Sequence, residues 1–224
     1  MIYMFTGTPG SGKSYHQAES VYYAVNSGHH VIANFDVNRD MLKHPEMFHY
    51  WDNQEITPRR LQEFSKEVKP SDEGEIKLYL DEVGVIFNAR DYRAFDRANW
   101  VKFFVQHRKL KYDVILVTQF DTMIDKQIRS LVEYEVKHRK LNNVGWVGKL
   151  VNFFTFGKPV FVCVTYWYPM KQRLSAEFVM GRKKFYKMYD TDMLFENANA
   201  TNAIQGVTLP ELDLGGVDAV VNRL

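Results

Sequence analysis

Cysteine is nearly absent from this chain of 224 residues, which contains a single one, Cys163. One cysteine excludes an internal disulfide framework and, on the sequence alone, any cysteine-based zinc site. Since its neighbours Phe161, Val162 and Val164 are apolar, we expect a buried strand thiol rather than a nucleophile. Charge of one sign is lacking too. The formal net charge of +2 is too weak to indicate nucleic-acid binding by itself.

Long apolar runs and a leader segment are also missing. No stretch reaches the roughly 18 uninterrupted apolar residues that a bilayer span needs, and the nearest run, 160–168, is far too short. No secretory signal opens the chain, because its first residues read as a strand. We therefore expect a soluble chain as given. The length allows one large α/β domain or a domain with an appendage, and 46% apolar with 15% aromatic residues argues against global disorder.

The pattern that organises the chain lies near its N-terminus. The sequence G-x-x-x-x-G-K-[ST] of a phosphate-binding loop is matched by Gly7, Thr8, Pro9, Gly10, Ser11, Gly12, Lys13 and Ser14. Glycines let backbone N–H groups turn inward around an anion. Lys13 would then bind the β- and γ-phosphates, and the Ser14 hydroxyl would bind Mg²⁺. A chance glycine-rich turn is the alternative interpretation.

The flanks of this loop agree with nucleotide binding. Residues 1–6 form a short apolar run fit for a buried strand, and a helix is predicted from Tyr15 to Val25. The N-terminus of that helix would add its dipole to the anion site, so Tyr15 completes the predicted nucleotide-binding set. Strand, loop and helix in this order favour the phosphate loop over a chance turn.

A second motif lies at the end of a strand predicted over 75–82, which ends in the two adjacent carboxylates Asp81 and Glu82. In P-loop hydrolases the first of two such acids lies beside Mg²⁺, usually through water, and the second polarises the attacking water. Two acids are also typical of a plain solvated loop start. The phosphate loop upstream favours the catalytic interpretation.

A third polar position follows another buried strand. A helix is predicted over 98–110, and the strand after it, which begins at Tyr112, ends in Thr118 and Gln119. In nucleotidases with an extra strand between the phosphate-loop strand and the acid-bearing strand, the tip of that extra strand carries a polar sensor. Gln119 is in position to be one, with an ordinary strand-end glutamine as the alternative.

Elsewhere the pattern predicts less chemistry. Residues 36–57 look irregular, and a helix is predicted over 58–68. From about residue 131 we expect antiparallel strands: 132–139 and 177–180 alternate with period two, and the aromatic-rich runs 150–156 and 160–167 are joined by a turn. The basic, aromatic segment 181–186 fits an edge for single-stranded nucleic acid or a solvated sheet face. Residues 192–224 are predicted to be a polar, acidic tail or linker.

Together these segments resemble the Zot (zonula occludens toxin)-like family, which includes the assembly ATPases of filamentous phages and belongs to the FtsK/HerA-like P-loop motors. The segments that carry the resemblance are Gly7 to Tyr15, Asn34, Asp81 and Glu82 with Phe87 and Arg90, Gln106 to Arg108, Asp113 to Gln119, Ile124 to Arg129, and Tyr189 to Thr191. The resemblance implies an α/β P-loop domain over 1–191. Its mainly parallel sheet would be of the additional-strand type, extended by antiparallel strands from about residue 131.

The resemblance also implies a function: an ATP-hydrolysing motor for the assembly and extrusion of a filamentous phage with single-stranded DNA through the host membrane. ATP and Mg²⁺ would be its cofactors. The implied partners are further copies in a ring such as a hexamer, membrane-located phage assembly proteins, and single-stranded DNA or a DNA–protein complex. The implied location is the cytoplasmic side of the host inner membrane.

Two further points follow from the resemblance. Ring motors of this group often complete the site with an arginine from the neighbouring subunit, and Arg90, Arg108 and Arg129 are the candidates. Family members usually continue through a transmembrane helix, which this chain lacks as given. We therefore expect the cytoplasmic domain of a longer protein or a shorter relative with a separate membrane partner.

Two other functions stay open on the sequence. A small-molecule phosphotransferase has a similar length and loop, but it predicts an arginine-rich lid and an acceptor pocket, whereas the last third of this chain looks like an antiparallel sheet. A nucleotide-regulated scaffold without useful hydrolysis is the other, and the intact pair Asp81 and Glu82 argues against it.

Overall fold

The fold is known from a computed structural model that describes residues 1–87 and 96–189. Its strands are β1 (Ile2–Thr6), β2 (His30–Ala33), β3 (Phe48–Tyr50), β4 (Ile76–Leu80), β5 (Tyr112–Val117), β6 (Tyr134–Lys140), β7 (Val160–Trp167) and β8 (Gln172–Met180). Its helices within those ranges are α1 (Lys13–Asn26), α2 (Pro58–Val68), α3 (Val83–Ile86), α4 (Arg97–Gln106), α5 (Lys126–Arg129), α6 (Gly145–Phe154) and α7 (Lys183–Met188).

The strands form one sheet in the order β3-β2-β4-β5-β1-β6-β7-β8. The pairs from β3 to β6 are all parallel, and β7 and β8 add antiparallel pairs at one end. β5 lies between β1 and β4, with Met4 opposite Leu116 and Leu80 also opposite Leu116. The predicted fold, an α/β P-loop domain with an additional strand, is confirmed.

Both faces of the four central strands, β1, β2, β4 and β5, are buried, which is why they read as nearly continuous apolar runs. On one face a core cluster packs beneath α2 and α4, and it includes Ile2, Met4, Leu61, Leu78, Phe103, Phe104 and Leu116. On the other face a second cluster packs beneath α1, and it includes Phe5, Val21, Val25, Val31, Tyr79 and Val117. The sheet is thus fixed from both sides, and its carboxyl edge is a rigid platform.

The strand predicted over 132–139 is β6, and its pairing differs from the expectation. β6 runs parallel to β1, with Tyr3 opposite Tyr134, and antiparallel to β7. The antiparallel part of the sheet therefore starts one strand later than predicted, because β6 extends the parallel sheet before the chain turns back.

The prediction of a strand at 150–156 was wrong, because most of that segment belongs to α6. The aromatic run has no period-two alternation, so it fits a helix as well as a strand. The contacts of Asn142 favour the helix: its side-chain amide donates to the backbone oxygen of Lys158 at 3.1 Å and accepts from the backbone N–H of Val160 at 2.6 Å. These bonds hold the two ends of the connection between β6 and β7 together, and the residues between the two ends form the helix α6.

Two smaller predictions also differ from the fold. The irregular segment 36–57 contains β3, a strand of three residues that is too short to give a periodic signal. The basic, aromatic segment 181–186 is not a sheet edge, because α7 folds back on α1 and buries Phe185 and Met188. The helix predicted over 58–68 is confirmed as α2, and its N-cap Thr57 accepts a hydrogen bond from the N–H of Arg60.

Met1–Tyr189 forms one compact unit. Among the described residues, none of the helices has both the length and the apolar character that crossing a bilayer requires. The predicted domain end at residue 191 and the predicted tail, 192–224, lie outside the described residues and stay predictions.

Candidate nucleotide-binding site

The phosphate-loop sequence connects the carboxyl end of β1 to the first turn of α1. The backbone N–H of Gly7 donates to the backbone oxygen of Gln119 at 3.3 Å, which ties the loop to the end of β5. Gly12 is the N-cap of α1 with φ of 101°, a conformation that glycine adopts without strain. A Cβ at Gly12 would also collide with the ring of Phe161. Only glycine fits there.

The ammonium of Lys13 points back into this loop. Its Nζ donates to the backbone oxygen of Gly7 at 2.7 Å and to that of Thr8 at 3.4 Å. Burial lowers the pKa of Lys13, and the nearby carboxylates of Asp81 and Glu82 partly oppose that shift. The side chain therefore brings a positive charge between the loop carbonyls and the two acids.

The backbone of Asp81 is held by the side-chain amide of Asn34. Asn34 Oδ1 accepts from the N–H of Asp81 at 2.7 Å, and Asn34 Nδ2 donates to the backbone oxygen of Asp81 at 2.9 Å. Asn34 Nδ2 also donates to Asn53 Oδ1 at 2.8 Å. Because Asn34 follows β2, the neighbour of β4, its amide continues the ladder beyond the last strand residue. This fixes the position from which Asp81 projects.

The carboxylate of Asp81 meets the hydroxyl of Tyr189. The Tyr189 hydroxyl donates to Asp81 Oδ2 at 3.1 Å, and it also interacts with the hydroxyl of Ser14. Burial raises the pKa of Asp81, against the lowering effect of the Glu82 N–H and of Tyr189. The hydroxyl of Ser14 and the carboxylate of Asp81 thus share one neighbour. Both offer the hard oxygen donors that Mg²⁺ prefers, so the residues present fit that ion.

Glu82 is exposed and adopts a left-handed backbone conformation, with φ of 48° and ψ of 44°. That conformation costs a residue with a side chain on the order of 1–2 kcal/mol. Its N–H donates to Asp81 Oδ1 at 2.9 Å, which stabilises the turn. Strained conformations of this kind concentrate at functional sites. The sequence motif identifies Glu82, but it gives no sign of this strain.

Gln119 lies where the extra strand ends, beside the loop. Its backbone oxygen accepts from Gly7, and its side chain is exposed. The preceding residue, Thr118, is buried, and its N–H donates to the backbone oxygen of Phe5 at 3.0 Å. The neighbouring ends of β1 and β5 therefore bring Gln119 to the same edge as Gly7 and Lys13.

The side chain of Tyr15 packs in the protein interior. It is buried against Phe161 and Phe185. Its hydroxyl donates to the backbone oxygen of Met180 at 3.3 Å and accepts from the N–H of Arg182 at 3.1 Å. If Tyr15 contacts a nucleotide, its backbone N–H in the first turn of α1 is the group available.

The three candidate arginines differ in their surroundings. Arg108 forms an ion pair with Glu133 beside the first residue of β1, at the edge of the sheet opposite the phosphate loop. The guanidinium of Arg129 donates to the backbone oxygen of Asp121 at 3.2 Å. Arg90 lies outside the described residues. An arginine that acts on a neighbouring subunit can come from any edge, so its identity stays a prediction.

Three residues lie together beneath the loop: half-buried His16 on α1, buried His138 on β6 and buried Cys163 on β7, with nitrogen and sulfur atoms within 4.8 Å of one another. His138 Nδ1 lies 3.3 Å from the backbone oxygen of Thr6, and His16 Nδ1 lies 2.7 Å from His138 Nε2. The last distance is that of a hydrogen bond, shorter than the separation of two ligands on one zinc ion.

Burial sets the protonation of this trio. It lowers the pKa of His16 to about 4 and that of His138 to about 3, and it raises the pKa of Cys163 to about 12. At neutral pH both imidazoles and the thiol are uncharged. They form a neutral hydrogen-bonded support between the loop and the two strands β6 and β7.

Sequence reasoning gave no role to two residues that the fold brings to the site. Asn34 and Tyr189 appeared only as points of family resemblance, and their contacts with Asp81 span 47 and 108 residues of chain. An asparagine directly after a buried strand was the available signal for the first. No local pattern marks the second.

The family model "Zonular occludens toxin (Zot)" matches residues 1–193. The chain belongs to the Zot family. Among its relatives is the Gene 1 protein of Enterobacteria phage M13, which is 27% identical over 230 residues, covering 96% of this chain and 65% of that protein. The chain spans less than two-thirds of the length of the first curated relatives it matches.

Solved structures agree on the fold of this Zot-family chain. The genome packaging NTPase B204 of Sulfolobus turreted icosahedral virus 2, in complex with AMPPCP, gives a TM-score of 0.50 at 14% identity over 79% of this chain and 95% of that one. A further solved ATPase domain superposes with a TM-score of 0.55 at 8% identity, and 84% of each chain is covered. At these identities the likeness shows the P-loop NTPase fold alone.

Proposed function

We propose that this chain is the motor domain of a filamentous-phage assembly system, which binds ATP with Mg²⁺ and hydrolyses it to drive virion assembly and extrusion. The observation that carries the proposal is the meeting of three groups at one sheet edge: Lys13 in the loop, the pair Asp81 and Glu82, and Gln119 beside Gly7. Membership in the Zot family with phage Gene 1 proteins supports the biological setting.

Each group has a defined part in the proposed reaction. The loop N–H groups and Lys13 bind the phosphates, since a helix N-terminus and a cation both stabilise negative charge. Ser14 and Asp81 hold Mg²⁺, which offsets phosphate charge when bound. Glu82 accepts the proton of the attacking water, and Gln119 senses the terminal phosphate. The exposure of Glu82 suits it to meet a water, and Asn34 keeps the acidic turn in place.

The same proposal includes the partners. We infer a homo-oligomeric ring, because an arginine from a neighbouring subunit would complete the charge stabilisation at the terminal phosphate. Membrane-located assembly proteins and the single-stranded DNA or its protein complex would be the other partners, at the cytoplasmic side of the host inner membrane. The length of the M13 relative beyond this chain leaves room for further segments with their own contacts.

Glu82→Gln tests the hydrolytic assignment. The substitution keeps the size and the exposed position of the side chain but removes its ability to accept a proton. We expect ATP binding to be retained and turnover to fall by about 10²-fold or more. ATP binding is measured by calorimetry, and turnover is measured as phosphate release without any acceptor molecule, in the presence and absence of single-stranded DNA.

Glu63→Gln is the matched control, since Glu63 is an exposed acid that pairs with Arg59 on α2. It should leave both measurements unchanged. Wild-type turnover in Glu82→Gln would remove Glu82 from the mechanism. If the wild-type chain transfers phosphate to an added small molecule but releases none to water, it is a phosphotransferase. If neither occurs in the assembled oligomer, it is a scaffold.

A further inference from the structure

The amphipathic helix α6, in the connection between β6 and β7, presents its apolar side to solvent. On α6 the side chains of Trp146, Leu150, Phe153 and Phe154 recur at positions i, i+4, i+7 and i+8, which is one face of a helix. They are 74%, 47%, 76% and 73% exposed. In a soluble domain such a stripe normally packs on the core. These four residues and Phe156 are called the aromatic patch below.

Phe156 makes the patch harder to explain as chance. Its ring is 94% exposed, and its backbone has φ of 52°, the left-handed region that side chains with a Cβ avoid. A glycine or asparagine would fit that turn with less strain, and a polar residue would suit water better. The sequence thus keeps a large apolar ring at a position where neither the core nor the backbone requires one.

The polar side of the connection is attached to the protein, so the patch has a fixed orientation. Gly148 is buried so closely against Asn142 that a Cβ would collide with the backbone oxygen of Asn142. The Oγ1 of Thr155 lies 2.7 Å from the backbone oxygen of Val151 and 3.0 Å from that of Lys158, so its one hydroxyl proton is shared between these two acceptors. The inner side of α6 is therefore used for docking on its own chain, and the outer side is free to bind something else.

The stretch of sequence that contains the patch carries charge of one sign. Between residues 136 and 176 the chain contains no aspartate or glutamate, and it contains seven basic residues: Lys137, Arg139, Lys140, Lys149, Lys158, Lys171 and Arg173. Lys149 lies on α6, Lys158 follows it, and both are exposed. An apolar, aromatic helix face that carries exposed lysines within a segment free of acidic residues matches a surface of negative headgroups over hydrocarbon.

We propose that the aromatic patch with Lys149 and Lys158 is a lipid-binding surface, which inserts its rings at the headgroup level of a bilayer containing anionic phospholipid. Tryptophan and phenylalanine side chains are stabilised at that depth, and each nearby lysine adds electrostatic attraction. The helix would lie in the plane of the membrane surface and would not cross it. This inference rests on the patch and does not depend on ATP hydrolysis.

A second copy of the chain is the other occupant to consider. A two-fold contact between copies would cover the aromatic rings equally well, but it would place two identical basic rims against each other, which is unfavourable. The absence of acidic residues over 136–176 therefore favours an anionic lipid over a two-fold contact through this patch. The experiment below separates the two.

The full chain is mixed with vesicles of phosphatidylcholine alone or of phosphatidylcholine with phosphatidylglycerol, and bound protein is measured by sedimentation. We expect binding to the anionic vesicles that weakens as salt is raised, because the lysine contribution is screened. Tryptophan emission should shift to shorter wavelength on binding, and Trp146→Phe should remove most of that shift while binding persists.

Phe153→Ser with Phe156→Ser should weaken vesicle binding by about tenfold or more for each ring removed. The matched control is Val105→Ser, at an apolar side chain 64% exposed on α4. Lys149→Glu with Lys158→Glu should weaken binding to anionic vesicles only, and Lys66→Glu with Lys109→Glu, at exposed lysines elsewhere, should not. Circular dichroism verifies that each variant is folded.

Two results would overturn the proposal. One is unchanged vesicle binding by the double phenylalanine variant. The other is a wild-type chain that ignores both vesicles but self-associates in the ultracentrifuge, with the phenylalanine variant monomeric, which makes the patch an interface between copies. Failure of the proposed hydrolysis is distinguishable: Glu82→Gln should bind vesicles like the wild type, and the phenylalanine variant should keep ATP turnover in solution.

Discussion

The parallel and antiparallel parts of the sheet differ in how far their side chains are buried. β5, in the parallel part, buries every residue except Asp113, and Leu116 has no exposed surface. β8, at the antiparallel end, buries none, with Leu174 52% and Phe178 71% exposed. The parallel part is a scaffold that fixes residues at its carboxyl edge. The antiparallel part, with α6, leaves its surface available for contacts.

The two parts nevertheless meet at the phosphate loop. Phe161 of β7 packs on Gly12, and the hydroxyl of Tyr15 is bonded to Met180 at the end of β8. Tyr189, after α7, reaches Asp81. The antiparallel part is therefore attached to the candidate site along one seam, while its surface at α6 faces solvent. Three predictions test this division.

The largest effect is expected in the parallel part. Leu78→Ala on β4 removes a fully buried side chain from the core and should lower the free energy of unfolding by about 3 kcal/mol. Leu174→Ala on β8 should cost less than about 0.5 kcal/mol, because half of that side chain is already in water. Urea denaturation followed by circular dichroism measures both. Equal losses of unfolding free energy would show that β8 is buried in the functional assembly. The contrast between a buried parallel part and an exposed antiparallel part would then be wrong.

A smaller effect per residue is expected at the seam, where His138 is buried, His16 is half-buried and both are neutral. In the unfolded chain a histidine has a pKa near 6.5, and in the folded chain burial lowers the two values to about 4 and about 3. The unfolded state therefore takes up more protons below pH 6.5. Stability due to the pair is complete above that pH and is lost as the pH falls toward 4, by about 2 kcal/mol per histidine at pH 5.

The measurement is the free energy of unfolding from pH 8 to pH 5 in urea. His138→Gln should flatten the acid loss by about 2 kcal/mol, since one proton-binding group is gone. His44→Gln, at an exposed histidine, should leave the curve unchanged. A wild-type curve that is flat down to pH 5 would mean that the pair is hydrated, and the seam would be looser than its contacts indicate.

The parts of the molecule that the sequence predicted are those with local signals. The loop from Gly7 to Ser14 has a fixed spacing, and α2 has its N-cap Thr57, its first-turn Pro58 and an apolar stripe. The central strands β1, β2, β4 and β5 are runs of apolar residues between turns. In each case neighbours within a few positions determine the structure, so pattern and fold agree.

The features that the sequence did not predict depend on contacts between residues that are far apart along the chain. The run around Phe153 is apolar without the period-two alternation of a strand, and the bonds of Asn142 and the close packing at Gly148 favour the helix α6. The site likewise needs Asn34 and Tyr189, which meet Asp81 only after the sheet has formed. The strain at Glu82 is a property of its backbone conformation, which its residue type does not predict. Long-range hydrogen bonds carry that information, and a single sequence does not display them.

The smallest effect is expected where the antiparallel part returns to the site, at Tyr189. Tyr189→Phe removes the hydroxyl that donates to Asp81 Oδ2 and should cost about 1 kcal/mol of stability. That hydrogen bond lowers the pKa of Asp81, so its loss should raise the pKa of that carboxyl further above its ordinary value. If the ionised form of Asp81 is needed for hydrolysis, the acid limb of the turnover–pH profile should move to higher pH, with turnover at neutral pH reduced less than about tenfold. Tyr23→Phe, at an exposed tyrosine of α1, is the control and should leave the profile in place. An unshifted acid limb in Tyr189→Phe would mean that Tyr189 only packs against the site. The antiparallel part would then contact the phosphate loop without affecting the ionisation of Asp81.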